Sequence, residues 1–198
     1  VVISNIRLSA ETMSKCQNLK MLSVAFTGLD HIDLEYCQNH NIEVFNASGY
    51  STVAVSELAI GLMLDVYRKI TEMDANTRQL GSRGTFLGGE LHGKTVGVVG
   101  TGAIGTQTIK LLKAFGCKIL AYSRTQRNEV KALEVEYTSL ENLMANADIV
   151  TLHVPATKDT AQLINAEMLS LMKPSAILIN TARGAVVDNQ ALAQALKD

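Results

Sequence analysis

The sequence predicts an α/β protein in which helices cover parallel sheets. Three observations carry that prediction. Short runs rich in Val and Ile alternate with helical patterns along almost all of the 198 residues. Those runs are apolar on both faces, as strands buried between two helical layers are. Apolar residues make up 47% of the chain, ample for such a core.

The chain opens on Val1-Val2-Ile3, which reads as the tail of a strand. Helices are expected over Ser9–Cys16 and Asp33–Asn39, with Ser9 and Asp33 as N-caps whose oxygens accept from the first turn. Strands are expected over Met21–Phe26 and Ile42–Phe45. From Val53 to about Leu80 the rhythm breaks into one long helix, apolar at 55, 58, 59, 62, 63, 66 and 70. Gly81 ends it, and a glycine-rich crossing leads to Gly93. A boundary is placed here. Residues 1–51 form a partial α/β unit, 52–84 a joining helix and linker, and 85–198 a second α/β domain; one continuous sheet is the alternative. In the second domain strands are expected over Thr95–Gly100, Lys118–Tyr122, Asp148–His153 and Ala176–Asn180. Helices are expected over Ala103–Phe115, Ser139–Ala145, Asn165–Met172 and Asn189–Lys197, with Ser139 a cap and Glu141 in its first turn. The chain stops at Asp198 inside the last of these, so a protein cut at both ends is expected.

Composition narrows the function classes. A net charge of −1 makes no broad electrostatic appeal to nucleic acid or anionic membrane. No apolar run reaches the ~20 residues of a membrane span, and no signal peptide is visible. Cys16, Cys37 and Cys117 lie in unrelated segments without metal-type spacing. Buried, reduced thiols, no metal and a cytoplasmic location are expected.

Gly100, Gly102 and Gly105 fall in G-x-G-x-x-G spacing, after a strand and at the start of an amphipathic helix. Each glycine has its own reason. Gly100 allows a sharp turn. Gly102 lets backbone approach a diphosphate with no side chain between them. Gly105 lets the helix pack closely on its strand. Backbone N–H groups of Ala103 and Ile104, at the positive end of the helix, then face phosphates. A Rossmann-type, doubly wound sheet that binds a nicotinamide dinucleotide follows. The next strand commonly ends in a carboxylate that accepts from the ribose 2′-hydroxyl; here Ser123 stands there, with Arg124 and Arg127 close behind. A 2′-phosphate meets no repulsion and gains two guanidiniums, which favours NADP(H) over NAD(H). With Arg127 a solvated surface charge and Ser123 bonded to a ribose, NAD(H) stays usable.

Ligands of open parallel sheets gather at the carboxyl ends of strands. His153 lies at one such end and Arg183 just past another. An arginine there can clamp a carboxylate and polarise an adjacent carbonyl, or merely anchor its loop. His153 reads either as a proton donor or as a residue packed beside cofactor.

Several stretches together resemble the D-isomer-specific 2-hydroxyacid dehydrogenases. They are Gly93-Lys-Thr-Val-Gly-Val-Val-Gly-Thr-Gly-Ala-Ile-Gly, Leu152-His-Val-Pro, Ile179-Asn-Thr-Ala-Arg-Gly-Ala-Val-Val-Asp, Thr27-Gly-Leu-Asp-His-Ile-Asp and the helix start Val53–Leu64. Ile119-Leu-Ala-Tyr-Ser-Arg-Thr is most similar to glyoxylate and hydroxypyruvate reductases. The resemblance implies a flavodoxin-like α/β substrate domain, present in part as residues 1–51, and a nucleotide domain, with the active site in the cleft between them. It implies that Arg183 holds the substrate carboxylate and keto oxygen, and that backbone N–H groups at Thr27 and Gly28 hold the same carboxylate. It places Ala103, Ile104, Ser123, Arg124, His153, Val154, Pro155, Thr181 and Ala182 against the cofactor, which moves His153 from proton donor to cofactor neighbour. The family's proton donor is a histidine beyond the arginine, tuned by a glutamate between them. The chain ends at Asp198, before either, so an inactive fragment is expected. His31, His40 and His92 match no such role, and Glu57 and Asp188 read as structural.

The expected reaction is hydride transfer between NAD(P)H and a small 2-keto acid, giving a D-2-hydroxy acid, in a homodimer. D-3-phosphoglycerate dehydrogenase and D-lactate dehydrogenase are alternatives within the class. A non-catalytic, dinucleotide-sensing corepressor is the alternative outside it.

Overall fold

A computed structural model describes residues 6–197, so the strand expected at Val1-Val2-Ile3 lies outside the described residues, as does Asp198. The chain divides into two compact units, Val1–Ser51 and Thr52–Asp198.

The first unit carries α1 (Ala10–Ser14), β1 (Met21–Val24), α2 (Leu34–Asn39) and β2 (Glu43–Asn46). Ser9 and Asp33 cap the helices as their sequence positions require, Asp33 accepting from the Tyr36 N–H at 3.0 Å. β1 and β2 pair in parallel with Leu22 opposite Val44. Met13, Leu22, Val24, Ile32, Cys37 and Ile42 fill the small core. Each such buried side chain contributes about 1.5–3 kcal/mol relative to exposure.

The second unit runs α3 (Thr52–Arg68), α4 (Ile70–Arg78), β3 (Thr95–Val99), α5 (Ala103–Ala114), β4 (Lys118–Tyr122), α6 (Asn128–Lys131), β5 (Glu136–Tyr137), α7 (Leu140–Asn146), β6 (Ile149–Leu152), α8 (Ala166–Ser170), β7 (Ile177–Asn180) and α9 (Asn189–Ala195). A 3₁₀ turn, Gly184–Val186, lies between β7 and α9. The sheet is five-stranded and wholly parallel, in the order β5-β4-β3-β6-β7. The chain leaves β3 in one direction and returns on its other side with β6, so the order reverses between those two strands. Alternate residues of the central strands serve two cores. Val96, Val98, Ile119, Ala121 and Ile149 meet α3 and α5. Val99, Val150 and Leu152 meet α7 and α8 through Leu143, Met144 and Met168. This two-faced burial is the doubly wound arrangement expected from strands apolar on both sides.

The amino ends of three strands meet at one residue, Asp148. The Asp148 carboxylate accepts from the Thr95 N–H at 2.9 Å and from Lys173 Nζ at 2.8 Å. The Asp148 carbonyl accepts from the Ile177 N–H at 3.0 Å. Desolvation pushes this carboxyl up, but Lys173, the Thr95 N–H and the charge of Lys94 outweigh it and hold the group below its ordinary range.

The long helix expected over 53–80 is two helices. Lys69 adopts φ 48°, a left-handed conformation costly for a residue with a Cβ, and interrupts the helical ladder. Asp65 stabilises the break by accepting from the Thr71 N–H at 2.7 Å and the Thr71 hydroxyl at 3.0 Å. α3 packs against α5 and β7, with Ala59, Ile60 and Met63 buried in the same core as β3. It is therefore part of the core of the second unit. Cys37 and Cys117 are buried thiols, but Cys16, which lies past the end of α1, is exposed.

Candidate functional site

The loop from β3 to α5 shows why each of its glycines is glycine. Gly100 has φ +97°, and a Cβ there would lie 2.7 Å from the His153 carbonyl oxygen and 2.8 Å from Val154 Cγ1. A Cβ on Gly105 would lie 1.9 Å from the Gly100 carbonyl oxygen, so helix and turn touch backbone to backbone. Gly102 differs: nothing lies within 4 Å of where its Cβ would stand. It is the N-cap of α5 and supplies no side-chain acceptor to the helix. The first N–H groups of α5 thus face open space at the positive end of a 12-residue helix. Ala103 is exposed and Ile104 half-buried at that mouth.

The turn sits where the strand order reverses. The Gly100 N–H donates to the Tyr122 carbonyl at 2.7 Å, and the His153 N–H donates to the Val99 carbonyl at 2.8 Å. The carboxyl ends of β4, β3 and β6 are thereby flush, and Gly100, Gly105, His153 and Val154 come together as one floor. Thr151 Oγ1 lies 3.0 Å from His153 Nε2. Burial pushes the His153 imidazole down to about 4, so the ring is neutral near pH 7 and a poor acid there. Pro155 lies just beyond, exposed, its carbonyl accepting from the Thr160 hydroxyl.

At the end of β7 the Asn180 side chain folds the following turn. Its oxygen accepts from the Ala182 N–H at 2.9 Å, and its amide donates to the Arg183 carbonyl at 3.0 Å. Arg183 is exposed, with Nη1 donating to the Ala182 carbonyl at 3.1 Å. It stands on the same sheet edge as the glycine turn, two strands away across β6. Thr181 Oγ1 is out of solvent contact and has no hydrogen-bond partner within the described residues. A buried hydroxyl left unsatisfied is costly, and a polar ligand group at this edge would relieve it.

Ser123 is half-buried just past β4. The two arginines behind it are not free charges. Arg124 Nη1 meets Asp159 Oδ2 at 2.8 Å, and Arg127 Nη1 meets Glu129 Oε1 at 3.4 Å. In the first unit, Thr27 is held by its neighbours: its carbonyl accepts from Asn46 Nδ2 at 2.7 Å, and its hydroxyl donates to the Ala47 carbonyl at 3.3 Å. Gly28 follows in the same loop. Asp188 is structural, capping α9 through the Gln190 and Ala191 N–H groups.

Sequence reading missed Tyr137, Asn180, Asn46 and Asp159. The Tyr137 hydroxyl donates to Thr101 Oγ1 at 2.9 Å and accepts from the Arg127 N–H at 3.2 Å, so it joins the glycine turn to the loop after β4. Asn180 carried a local signal, an Asn at a strand end before a turn, whose side chain commonly bonds the backbone two residues on; Asn46 carried the same signal but bonds Thr27, 19 residues away. No group of three or more His, Cys, Asp or Glu able to hold a metal occurs among the described residues. Among them, no helix is long and apolar enough to cross a membrane.

A parallel, doubly wound sheet with an open, uncapped glycine turn at its switch point defines a dinucleotide-binding α/β domain. Residues 60–198 match the family "D-isomer specific 2-hydroxyacid dehydrogenase, NAD binding domain", and the chain belongs to that family. It is 43% identical over 199 residues to the glyoxylate reductase of Thermofilum pendens, covering 97% of this chain and 59% of that protein. It is 40% identical over 201 residues to the D-3-phosphoglycerate dehydrogenase of Methanocaldococcus jannaschii, covering all of this chain and 38% of that protein. It is similar in structure to the D-lactate dehydrogenase of Aquifex aeolicus complexed with NAD and lactic acid, with a TM-score of 0.91 and 38% identity, covering 96% of this chain and 58% of that one. The chain thus spans about three fifths of the glyoxylate reductase and of the lactate dehydrogenase.

Proposed function

We propose that this chain is the nucleotide-binding part, with a segment of the substrate domain over residues 1–51, of an NAD(P)-dependent D-2-hydroxyacid dehydrogenase that reduces a small 2-keto acid of the glyoxylate or hydroxypyruvate kind. The observation that carries the reading is the open mouth at Gly102. It faces uncapped N–H groups of α5 and shares a sheet edge with Arg183 and the unsatisfied Thr181 hydroxyl. The nicotinamide cofactor, when bound, supplies the hydride.

The chain's own residues do the rest. N–H groups at Ala103, Ile104 and Gly105 hold the diphosphate, which only backbone without a Cβ at position 102 can approach. His153, Val154 and Pro155 form a neutral wall at the strand ends, and Thr181 and Ala182 continue it. The Arg183 guanidinium clamps the substrate carboxylate and polarises the keto oxygen, its loop fixed by Asn180. Ser123 and Arg124 receive the 2′-position of the adenine ribose, and the absence of a carboxylate at position 123 favours NADP(H). A homodimer in the cytoplasm completes the proposal.

The test is direct. The protein that carries this chain is mixed with NADPH and glyoxylate, and absorbance at the nicotinamide band is followed. A fall that Arg183→Ala abolishes, with NADPH binding retained, supports the reading. Tight NADPH binding without turnover of glyoxylate, hydroxypyruvate, pyruvate or 3-phosphoglycerate overturns it.

A further inference from the structure

Arg124 is expected to meet a 2′-phosphate, yet its guanidinium already has a carboxylate. Nη1 lies 2.8 Å from Asp159 Oδ2, and both side chains are about as open to solvent as each other, at 70% and 69%. The two residues are 35 apart in sequence and come from different loops, after β4 and after β6. The backbone that carries Asp159 is held in place. It sits in the turn Thr157–Thr160, which closes through the Ala161 N–H to the Thr157 carbonyl at 3.0 Å and the Thr157 N–H to Thr160 Oγ1 at 2.9 Å. Thr160 is buried, so the turn is anchored in the unit. A pair this exposed adds little to stability. Its effect falls on whatever else approaches Arg124.

We propose that Asp159 is a cofactor-selectivity residue: its carboxylate competes with the 2′-phosphate for Arg124 and so restrains the preference for NADP(H), keeping NAD(H) usable. The proposal rests on the reading that Arg124 faces the 2′-position. A phosphate monoester carries roughly −1.5 to −2 charges near pH 7. To bond Arg124 it must displace Asp159 or share the guanidinium with it at close range, and either costs affinity. A 2′-hydroxyl is neutral and meets no such opposition. Arg127, half-exposed beside Glu129, does not escape the same arithmetic: both guanidiniums behind Ser123 arrive with an acid attached.

The experiment measures dissociation constants of NADPH and NADH for the wild-type chain, Asp159→Asn and Arg124→Ala, at low and high salt. Asp159→Asn is expected to tighten NADPH about two- to fivefold, the range of an exposed charge pair, and to leave NADH unchanged. The gain should shrink as salt screens it. Arg124→Ala should weaken NADPH and leave NADH nearly alone. If Arg124→Ala lowers the NADPH-to-NADH preference but Asp159→Asn leaves it unchanged or lowers it, the role of Asp159 is overturned while that of Arg124 stands. If the preference is unmoved in both variants, the placing of Arg124 at the 2′-position falls, and the inference with it.

Discussion

Gly102 and Gly105 stand three residues apart in one loop, and adding the same methyl group to each should have opposite consequences. At Gly105 the new Cβ would lie 1.9 Å from a backbone carbonyl oxygen, where about 3.4 Å is ordinary contact. No side-chain rotation can relieve an overlap with backbone, so α5 must slide from β3. Overpacking of this kind costs about 3 kcal/mol. For a chain of this size that lowers Tm by roughly 6 °C or more. At Gly102 the Cβ meets nothing within 4 Å and φ is −69°, so the folded chain accepts it. Alanine is a poorer N-cap than glycine by about 1 kcal/mol. Its smaller unfolded-state entropy returns about 0.4–1 kcal/mol, so the net change is small. The methyl would nevertheless occupy the space through which a diphosphate reaches the N–H groups of α5. Nucleotide affinity should fall at least about tenfold, equivalent to about 1.4 kcal/mol. Thermal denaturation and fluorescence titration with NADPH measure both quantities on each variant. Gly102→Ala binding NADPH as tightly as wild type would refute the reasoning, as would Gly105→Ala melting at the wild-type temperature.

Tyr137→Phe removes the hydroxyl joining Thr101 to the Arg127 N–H and leaves the buried Thr101 hydroxyl without that donor. A loss of about 1–3 kcal/mol in denaturation and a weaker hold on NADPH are expected. Asn180→Ala frees the turn that carries Arg183, so kcat/KM for the keto acid should fall while Tm moves by only about 2–4 °C, a single kcal/mol for a chain of this size. His153, at about 4 in the folded chain against 6.5 ordinarily, is neutral when folded. Its folded value is depressed, so its contribution to stability is complete above pH 6.5 and is lost as pH falls from there toward about 4. Denaturation midpoints across that window should decline, and His153→Gln should flatten the decline; a proton NMR titration placing His153 near 6.5 would contradict the burial effect.

Much of this fold was legible because it is written in local chemistry. Lys118–Tyr122 was bounded to the residue, since Val/Ile/Leu runs between turn residues mark buried strands. Ser9, Asp33 and Ser139 could be named as caps because an N-cap oxygen acts within three residues of itself. The glycine turn was readable for the same reason. What failed to show depends on distance in sequence or on conformational exceptions. The apolar stripe from Val55 to Ile70 runs unbroken through Lys69, and nothing local announces a left-handed lysine there. β5 is two residues long, too short for any period to register. Tyr137 meets Thr101 across 36 positions, and Asp159 meets Arg124 across 35. The two arginines were visible as charges, but their partners were not, and it is the partners that change what those charges do.

Asp148 gives the sheet a division of labour. Its carboxylate holds the start of β3 and Lys173, and its carbonyl holds the start of β7, so the fastening lies on the rim opposite the glycine turn. A change at Lys173 therefore acts on the rim away from the glycine turn, where the cofactor is proposed to bind.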